Sequence, residues 1–335
     1  MSFSRYNPED SVISSETVVR GLWSGDSNTI VSPFYSQSVS EYYLDVYNGD
    51  PATSGSAIQF SVQYGNLYGS GSNLINSNVV SGGYTPSRVV YGEYRNLVYG
   101  TENTNFSFDN GTTTAKDIFV VNIARGRYKE SLLPGSFNLT LASGSSYIRL
   151  TDDSNTTSLT RFIGENKVYY IVSGSNGNAY KSSASSSYYG MLLPDLNLIV
   201  LNATASSVVD LRNYFTPLST STSSRVDNYM KLYNSISTGS AGVSGSFQLQ
   251  SSETVSSRYF FTRVKNGEFN YTTNPSIIDD NGNLLYTTLI NNPQSYVTTV
   301  GMYNDNNELL AVAKLSKPLT KDFTKEALIR IKLDY

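Results

Sequence analysis

The sequence predicts an all-β, multidomain chain, on three observations. Tyr, Val, Ile and Thr, which suit a pleated and half-buried surface, recur in short runs of strand length. Clusters of Gly, Ser, Asn and Asp, which favour turns, separate those runs. Charged residues make up only 15% of the chain beside 13% aromatics, against about 25% charged in ordinary soluble domains. Neutral polar side chains must therefore solvate it. The expected form is a set of antiparallel, β-sandwich-like modules with long Gly/Ser/Asn-rich loops and one short helix. The 335 residues leave room for two or three domains.

Residues 1–40 read as an extended assembly arm. Pro8, the Gly-Leu-Trp-Ser-Gly stretch at 21–25 and Pro33 break any period, while Trp23, Phe34 and Tyr35 supply isolated apolar anchors. A β domain is expected over 41–145. Tyr43 to Tyr47 is its first strand, stopped by Asn48-Gly49-Asp50-Pro51, and Ile58 to Tyr64 alternates apolar and polar. Gly65 to Gly83 reads as a projecting loop. Val89 to Leu97, Phe106 to Phe108 and Asp117 to Ile123 read as further strands, with an Asn110-Gly111 turn after the second. Leu133-Pro134-Gly135 is a turn before the alternating Phe137 to Leu141.

A second β region is expected over 146–215. It comprises Tyr147 to Leu150, Lys167 to Val172, and Leu196 to Leu201, whose unbroken apolar run reads as a strand buried on both faces. Residues 216–255 read as a linker with the short helix, since Val226, Met230, Tyr233 and Ile236 recur at helical spacing. The C-terminal module, 256–335, is the most regular. Ser257 to Lys265 is a strand, Asn266-Gly267 and Asp279 to Asn283 are turns, and Tyr296 to Tyr303 and Leu309 to Leu315 form a hairpin across Asn304 to Glu308. The closing strand, Leu328 to Tyr335, places 329, 331, 333 and 335 on one face and its charges on the other. No fixed-period repeat emerges, which argues against a solenoid or propeller.

The chemistry is bounded by absences of residue type. His and Cys are both missing, which removes Ser-His-Asp catalysis, thiolate nucleophiles and His or Cys metal sites. No phosphate-cradling glycine motif follows a strand; Gly69 to Ser72 lacks the required Lys and helix. The acidic turns 279–282 and 304–308 lack calcium-loop spacing. Carboxylate-pair glycoside hydrolysis is the one enzyme class left open, with no spacing that identifies a pair. The expectation is a non-enzyme with no cofactor and no metal. A net charge of −3 with 24 basic residues gives no grip on nucleic acid. The run Arg125 to Lys129 reads as a solvated face or a contact for an acidic neighbour. No run approaches the ~20 apolar residues of a membrane span, and MSFSRYNPED has no apolar leader core. The chain is expected to stay in a cytosol or to be assembled there, and its Asn-x-Ser/Thr sites, such as Asn138, to remain unmodified.

The segment Tyr296-Val-Thr-Thr-Val-Gly301-Met-Tyr303-Asn304-Asp305, followed by Leu309 to Leu315, resembles the I-G-L-Y-(N/D)-D … L-L-A-V hairpin of baseplate-proximal tail and tail-fibre proteins of bacteriophages. Val300 and Met302 depart from that pattern without changing volume much. Tyr6 to Asp10, Gly21 to Asp26, Asp117 to Glu130 and Tyr189 to Asp195 also resemble virion structural proteins of contractile-tailed phages, especially those infecting cyanobacteria. The resemblance implies a virion protein assembled in the host cytoplasm that links tail or baseplate subunits, partnered by other virion proteins and by copies of itself. A carbohydrate-binding receptor module of a tail fibre and a neck or head-decoration protein are the alternatives. A Tyr-, Ser-, Gly- and Asn-rich surface offers adaptable, weakly charged contact area, which suits such roles. The expected interface residues are Trp23, Phe34 and Tyr35 in the arm, and Thr298, Thr299, Gly301, Tyr303, Asn304 and Asp305 in the hairpin. Because both faces of 296–303 are nearly uncharged, that hairpin is expected to carry protein on both sides.

Overall fold

A computed structural model describes residues 5–30, 34–37, 43–72, 85–108, 114–143, 146–158, 160–180, 188–203, 218, 227–237, 245–270 and 275–334. Two compact units share the chain. One holds Val18–Glu253; the other joins the residues before Val18 to those after Glu253.

The strands in chain order are β1 (Ser11–Gly21), β2 (Thr29–Ile30), β3 (Tyr35–Gln37), β4 (Tyr43–Tyr47), β5 (Ile58–Asn66), β6 (Asp117–Ile123) and β7 (Ser131–Leu132). They continue as β8 (Asn138–Ser143), β9 (Ser146–Asp152), β10 (Arg161–Ile163), β11 (Asn166–Ser175), β12 (Asn178–Ala179), β13 (Gly190–Leu193) and β14 (Leu198–Asn202). The last are β15 (Ser246–Gln248), β16 (Gln250–Val264), β17 (Ser295–Tyr303), β18 (Leu309–Lys321) and β19 (Ala327–Asp334). Helices are few: α1 (Pro86–Tyr99), α2 (Asn228–Ser237) and the single-turn α3 (Thr288–Asn291). The all-β class holds.

In the larger unit one antiparallel sheet runs in the order β2-β15-β8-β9-β11-β13-β14-β6-β5-β4-β3. It doubles back on itself. Phe247 of β15 meets Phe60 of β5 edge-on at 5.3 Å, although six strands lie between them in the ladder. The enclosed face is the main core, with Leu44, Val62, Leu141, Leu150 and Leu201 fully buried. Helix α2 lies against it, burying Tyr229, Leu232, Tyr233 and Ile236. Its Tyr233 and Ile236 are two of the positions whose spacing predicts this helix; Val226 lies outside the described residues. The opposite face of β6, β13 and β14 carries a second core, with Val120, Met191 and Val200 packed under α1. Leu198 to Leu201 is therefore buried on both sides, as its apolar run predicts. The β14–β6 and β8–β9 ladders cross the boundary expected at residue 145. The described strands of 43–143 and of 146–203 belong to one sheet, apart from β7, which pairs with β16, because neighbours in a ladder need not be neighbours in the chain.

Three local expectations are corrected. Val89 to Leu97 is helix, inside α1. Ser87, Val90, Tyr91, Tyr94 and Val98 form a buried stripe at helical spacing, and that stripe outweighs the strand propensity of Val and Tyr. Pro86 opens the helix and Gly100, at φ 67°, closes it in the left-handed conformation. Phe106 to Phe108 is not a strand; it makes only the bridge Ser107↔Thr114, and its two rings plug the space beneath α1. The described part of the Gly65–Gly83 stretch does not project: Gly65, Asn66, Gly71 and Ser72 are buried. A Cβ on Gly65 would stand 3.0 Å from the Tyr91 amide nitrogen, so glycine lets β5 and α1 approach. Residues 73–83 and the Asn110-Gly111 turn lie outside the described residues.

In the smaller unit, residues Ser257–Val264 of β16 pair with Asp334–Ala327 of β19, and β1 lies on the other side of β16. The β17–β18 hairpin covers this module. Val297, Val300, Met302, Ala313, Leu315 and Leu319 pack on Val264, Ile329 and Ile331. The last strand behaves as its alternation predicts, with Ile329 and Ile331 inward and Arg330 and Lys332 outward. Lys321 is fully buried. Its Nζ donates to the carbonyls of Asn266 (2.9 Å) and Asp322 (3.0 Å) and to Asn270 Oδ1 (2.8 Å), which satisfies all three of its protons.

Candidate interaction surface

The expected interface residues divide by burial. Trp23 is only 3% exposed. Its ring packs on Phe60 (5.7 Å) and Phe247 (5.1 Å), and its indole N–H donates to the Asn28 carbonyl at 3.1 Å. Trp23 is a core anchor of its own unit, and with Leu22 and Ile30 it takes residues 22–30 out of any free arm. Residues 11–21, also within the expected arm, are β1. A lone large apolar residue between turn formers looks the same whether its cover comes from its own chain or another. Phe34 and Tyr35 are exposed; Tyr35 sits in β3 opposite Val46 and touches the Tyr233 ring at 5.1 Å.

The hairpin residues stay together on one side. Thr298, Thr299, Gly301 and Tyr303 are all exposed, whereas Val297, Val300 and Met302 are half-buried against the module. Strict alternation would put Val297 with Thr299 and Gly301. An irregularity between Val297 and Thr299 shifts the register by three residues, from Val297 opposite Leu319 to Thr299 opposite Lys314, and Val297 joins Val300 and Met302 instead. Among the described residues the hairpin has cover on one face alone, from its own module, and the other face is open. The open face is apolar around Gly301. Its register partner Val312 is 57% exposed, Leu309 is 53% exposed, and Tyr303 is 40% exposed. A Cβ on Gly301 would come within 2.9 Å of the Tyr303 ring and 3.3 Å of Leu309 Cδ1. Both side chains thus lie over the glycine and make one continuous surface. Leu309 and Val312 are the members that sequence reasoning missed; the Leu-Leu-Ala-Val-Ala run was their only signal.

Asn304 and Asp305 play different parts. Asn304 builds the loop: its Oδ1 accepts from the amides of Asn306 (3.0 Å) and Glu308 (2.8 Å), and its Nδ2 donates to Glu308 Oε2 at 2.6 Å. Asp305 is exposed at the tip. The basic run at 125–129 meets an acid of its own chain, with Lys129 Nζ 2.9 Å from Glu253. Arg125 donates to the Tyr128 carbonyl.

The buried carboxylates hold loops. Asp152 accepts the Gly135 amide on both oxygens at 3.0 Å and the Ser154 amide at 3.1 Å, and burial raises its carboxyl above the usual 3.8. Asp153 pairs with Arg161 at 2.6 Å and accepts the Tyr170 amide. Each oxygen is spent on a structural donor. Among the described residues no group of acidic side chains could hold a metal ion, and no helix is long and apolar enough to cross a membrane. Comparison with protein-family models, curated proteins and solved structures finds no match.

Proposed function

We propose that this chain is a non-enzymatic structural component of a contractile-tailed bacteriophage, joining subunits of the tail or baseplate through the open face of the β17–β18 hairpin. The observation that carries the reading is that face: Tyr303, Leu309 and Val312 exposed side by side over Gly301, on a hairpin whose other face is already covered. Contiguous exposed apolar surface with little charge is what assembly interfaces use at their centres. The same segment carries the resemblance to phage tail hairpins.

The test is Thr299→Lys. Thr299 lies on the open face opposite Lys314, so a lysine there reaches solvent in the isolated protein and should lower its melting temperature only slightly, through one exposed like-charge pair. It places an unpaired charge where the neighbour docks, so incorporation into tails should fall sharply. Normal incorporation of the folded variant would overturn the proposal.

A further inference from the structure

The open face of the hairpin ends at a strand edge. β18 pairs with β17 on one side and, among the described residues, with no strand on the other. Glu308, the loop residue whose Oε2 accepts from Asn304, leads into that edge, which continues Leu309-Leu310-Ala311-Val312-Ala313-Lys314. Laid antiparallel against itself about Ala311, the segment places Glu308 opposite Lys314, Leu309 opposite Ala313, Leu310 opposite Val312, and Ala311 opposite itself. Directly opposed residues of an antiparallel pair have Cβ atoms roughly 4.5–5.5 Å apart, where opposite charges attract and like charges repel. Two copies would therefore form two Glu–Lys contacts and two Leu–Val contacts around one twofold axis.

The alternatives within the same segment are worse. Parallel pairing in register sets Glu308 against Glu308 and Lys314 against Lys314. An antiparallel shift of one residue sets Lys314 against Leu309. Beyond the segment the edge is closed, since Pro318 has no N–H to offer and Lys317 resists pairing. Leu310 supports the same reading. β17 passes over it, pairing Met302 with Ala311 and Tyr303 with Leu309, and it is 68% exposed, more than any other large apolar residue of the hairpin. The hairpin gives it no partner position, whereas a second copy gives it Val312.

We infer that two copies of the chain pair antiparallel along β18 about Ala311, joining their hairpins into one four-stranded sheet. This rests on the reading of the hairpin as an assembly element and names the occupant of its free strand edge as a second copy, with the open face running on across both hairpins. It is an isologous contact, in which each residue's partner is also its partner's partner.

The experiment is sedimentation of the full-length chain over a range of concentrations. The wild type should dimerise. Glu308→Lys and Lys314→Glu, each of which turns both ion pairs into like-charge pairs, should weaken the dimer about tenfold or more. The double variant should restore it. A covalent check uses the absence of Cys from the chain. Ala311→Cys should oxidise to a disulfide-linked dimer, and Ala313→Cys, whose opposite residue is Leu309, should not. A wild type that stays monomeric, a double variant that fails to recover, or equal cross-linking at 311 and 313 would overturn the inference. If the wild type is monomeric while Thr299→Lys still blocks incorporation, only the occupant is wrong. If the dimer forms and Thr299→Lys enters tails normally, the inference stands and the virion reading falls.

Discussion

Trp23 and Tyr303 are both aromatic residues near a Gly in turn-rich sequence, yet one is core and the other surface. The difference is long-range: Trp23 is covered by Phe60 and Phe247 from strands far away in the ladder, and no local pattern reports that. Trp23→Ala should therefore destabilise the larger unit by about 3–5 kcal/mol, the usual cost of emptying a large aromatic site; a denaturant midpoint unmoved from wild type would return Trp23 to the surface. Asp152 supports a prediction of opposite character. Burial raises its carboxyl above 3.8, the unfolded value, so the folded state binds that proton more tightly than the unfolded chain does. The associated stability is present below 3.8 and is lost as pH rises through the folded value. The unfolding free energy of the wild type, taken relative to Asp152→Asn, should thus fall as pH rises from about 3 and level off once Asp152 is ionised. A difference that is constant across that range, or that grows, would contradict the assignment. No local pattern reports the burial of Asp152, because burial belongs to the fold.

Elements were legible where one face alone decides them. β5, β8, β11, β14 and β19 fall where alternation or an apolar run placed them, and α2 where spacing placed it. α1 was not, because Val89 to Leu97 is rich in strand formers and its helical stripe shows only when the window is widened to the Thr85-Pro86 start and the Gly100 stop. The hairpin was legible in position but not in phase: the three-residue register shift after Val297 puts Val297 on the face of Val300 and Met302, and any odd slip exchanges the two faces. Two substitutions follow. Thr298→Lys should leave the melting temperature unchanged, and Thr299→Lys, opposite Lys314, should lower it only slightly, since both residues are exposed despite being adjacent; unfolding of the isolated protein by either would show the open face to be covered within the chain. Gly301→Ala should cost little stability, because the atom it meets at 2.9 Å is at the far end of the Tyr303 side chain rather than backbone. It should nevertheless weaken assembly, as Tyr303 would leave its place beside Leu309. A large drop in melting temperature would mean that the ring is fixed and belongs to the core.

Over the whole molecule, the expected boundaries at 40 and 145 fail for one reason: the ladder order ignores chain order. The two units are Val18–Glu253 and a module that combines both ends of the chain, so a deletion of residues 1–40 takes β1 together with Leu22, Trp23 and Ile30. That truncated chain should lose the cooperative unfolding of the larger unit, and retention of a wild-type transition would show the segment to be a separable arm. β16 to β19 follow one another in the chain and stay in one unit, which β1 joins from the N-terminal end. The open hairpin in that module is the centre of the functional account. Its most direct test is backbone hydrogen exchange of residues 296–314, compared between the isolated chain and the chain in assembled tails. The account expects the amides of Thr299 to Tyr303 and Glu308 to Lys314 to slow markedly on assembly, while the amides of α1, already buried in the isolated chain, stay as they were. Equal exchange across the hairpin in both states would mean that nothing covers this face in the particle, and the proposed interface would be wrong.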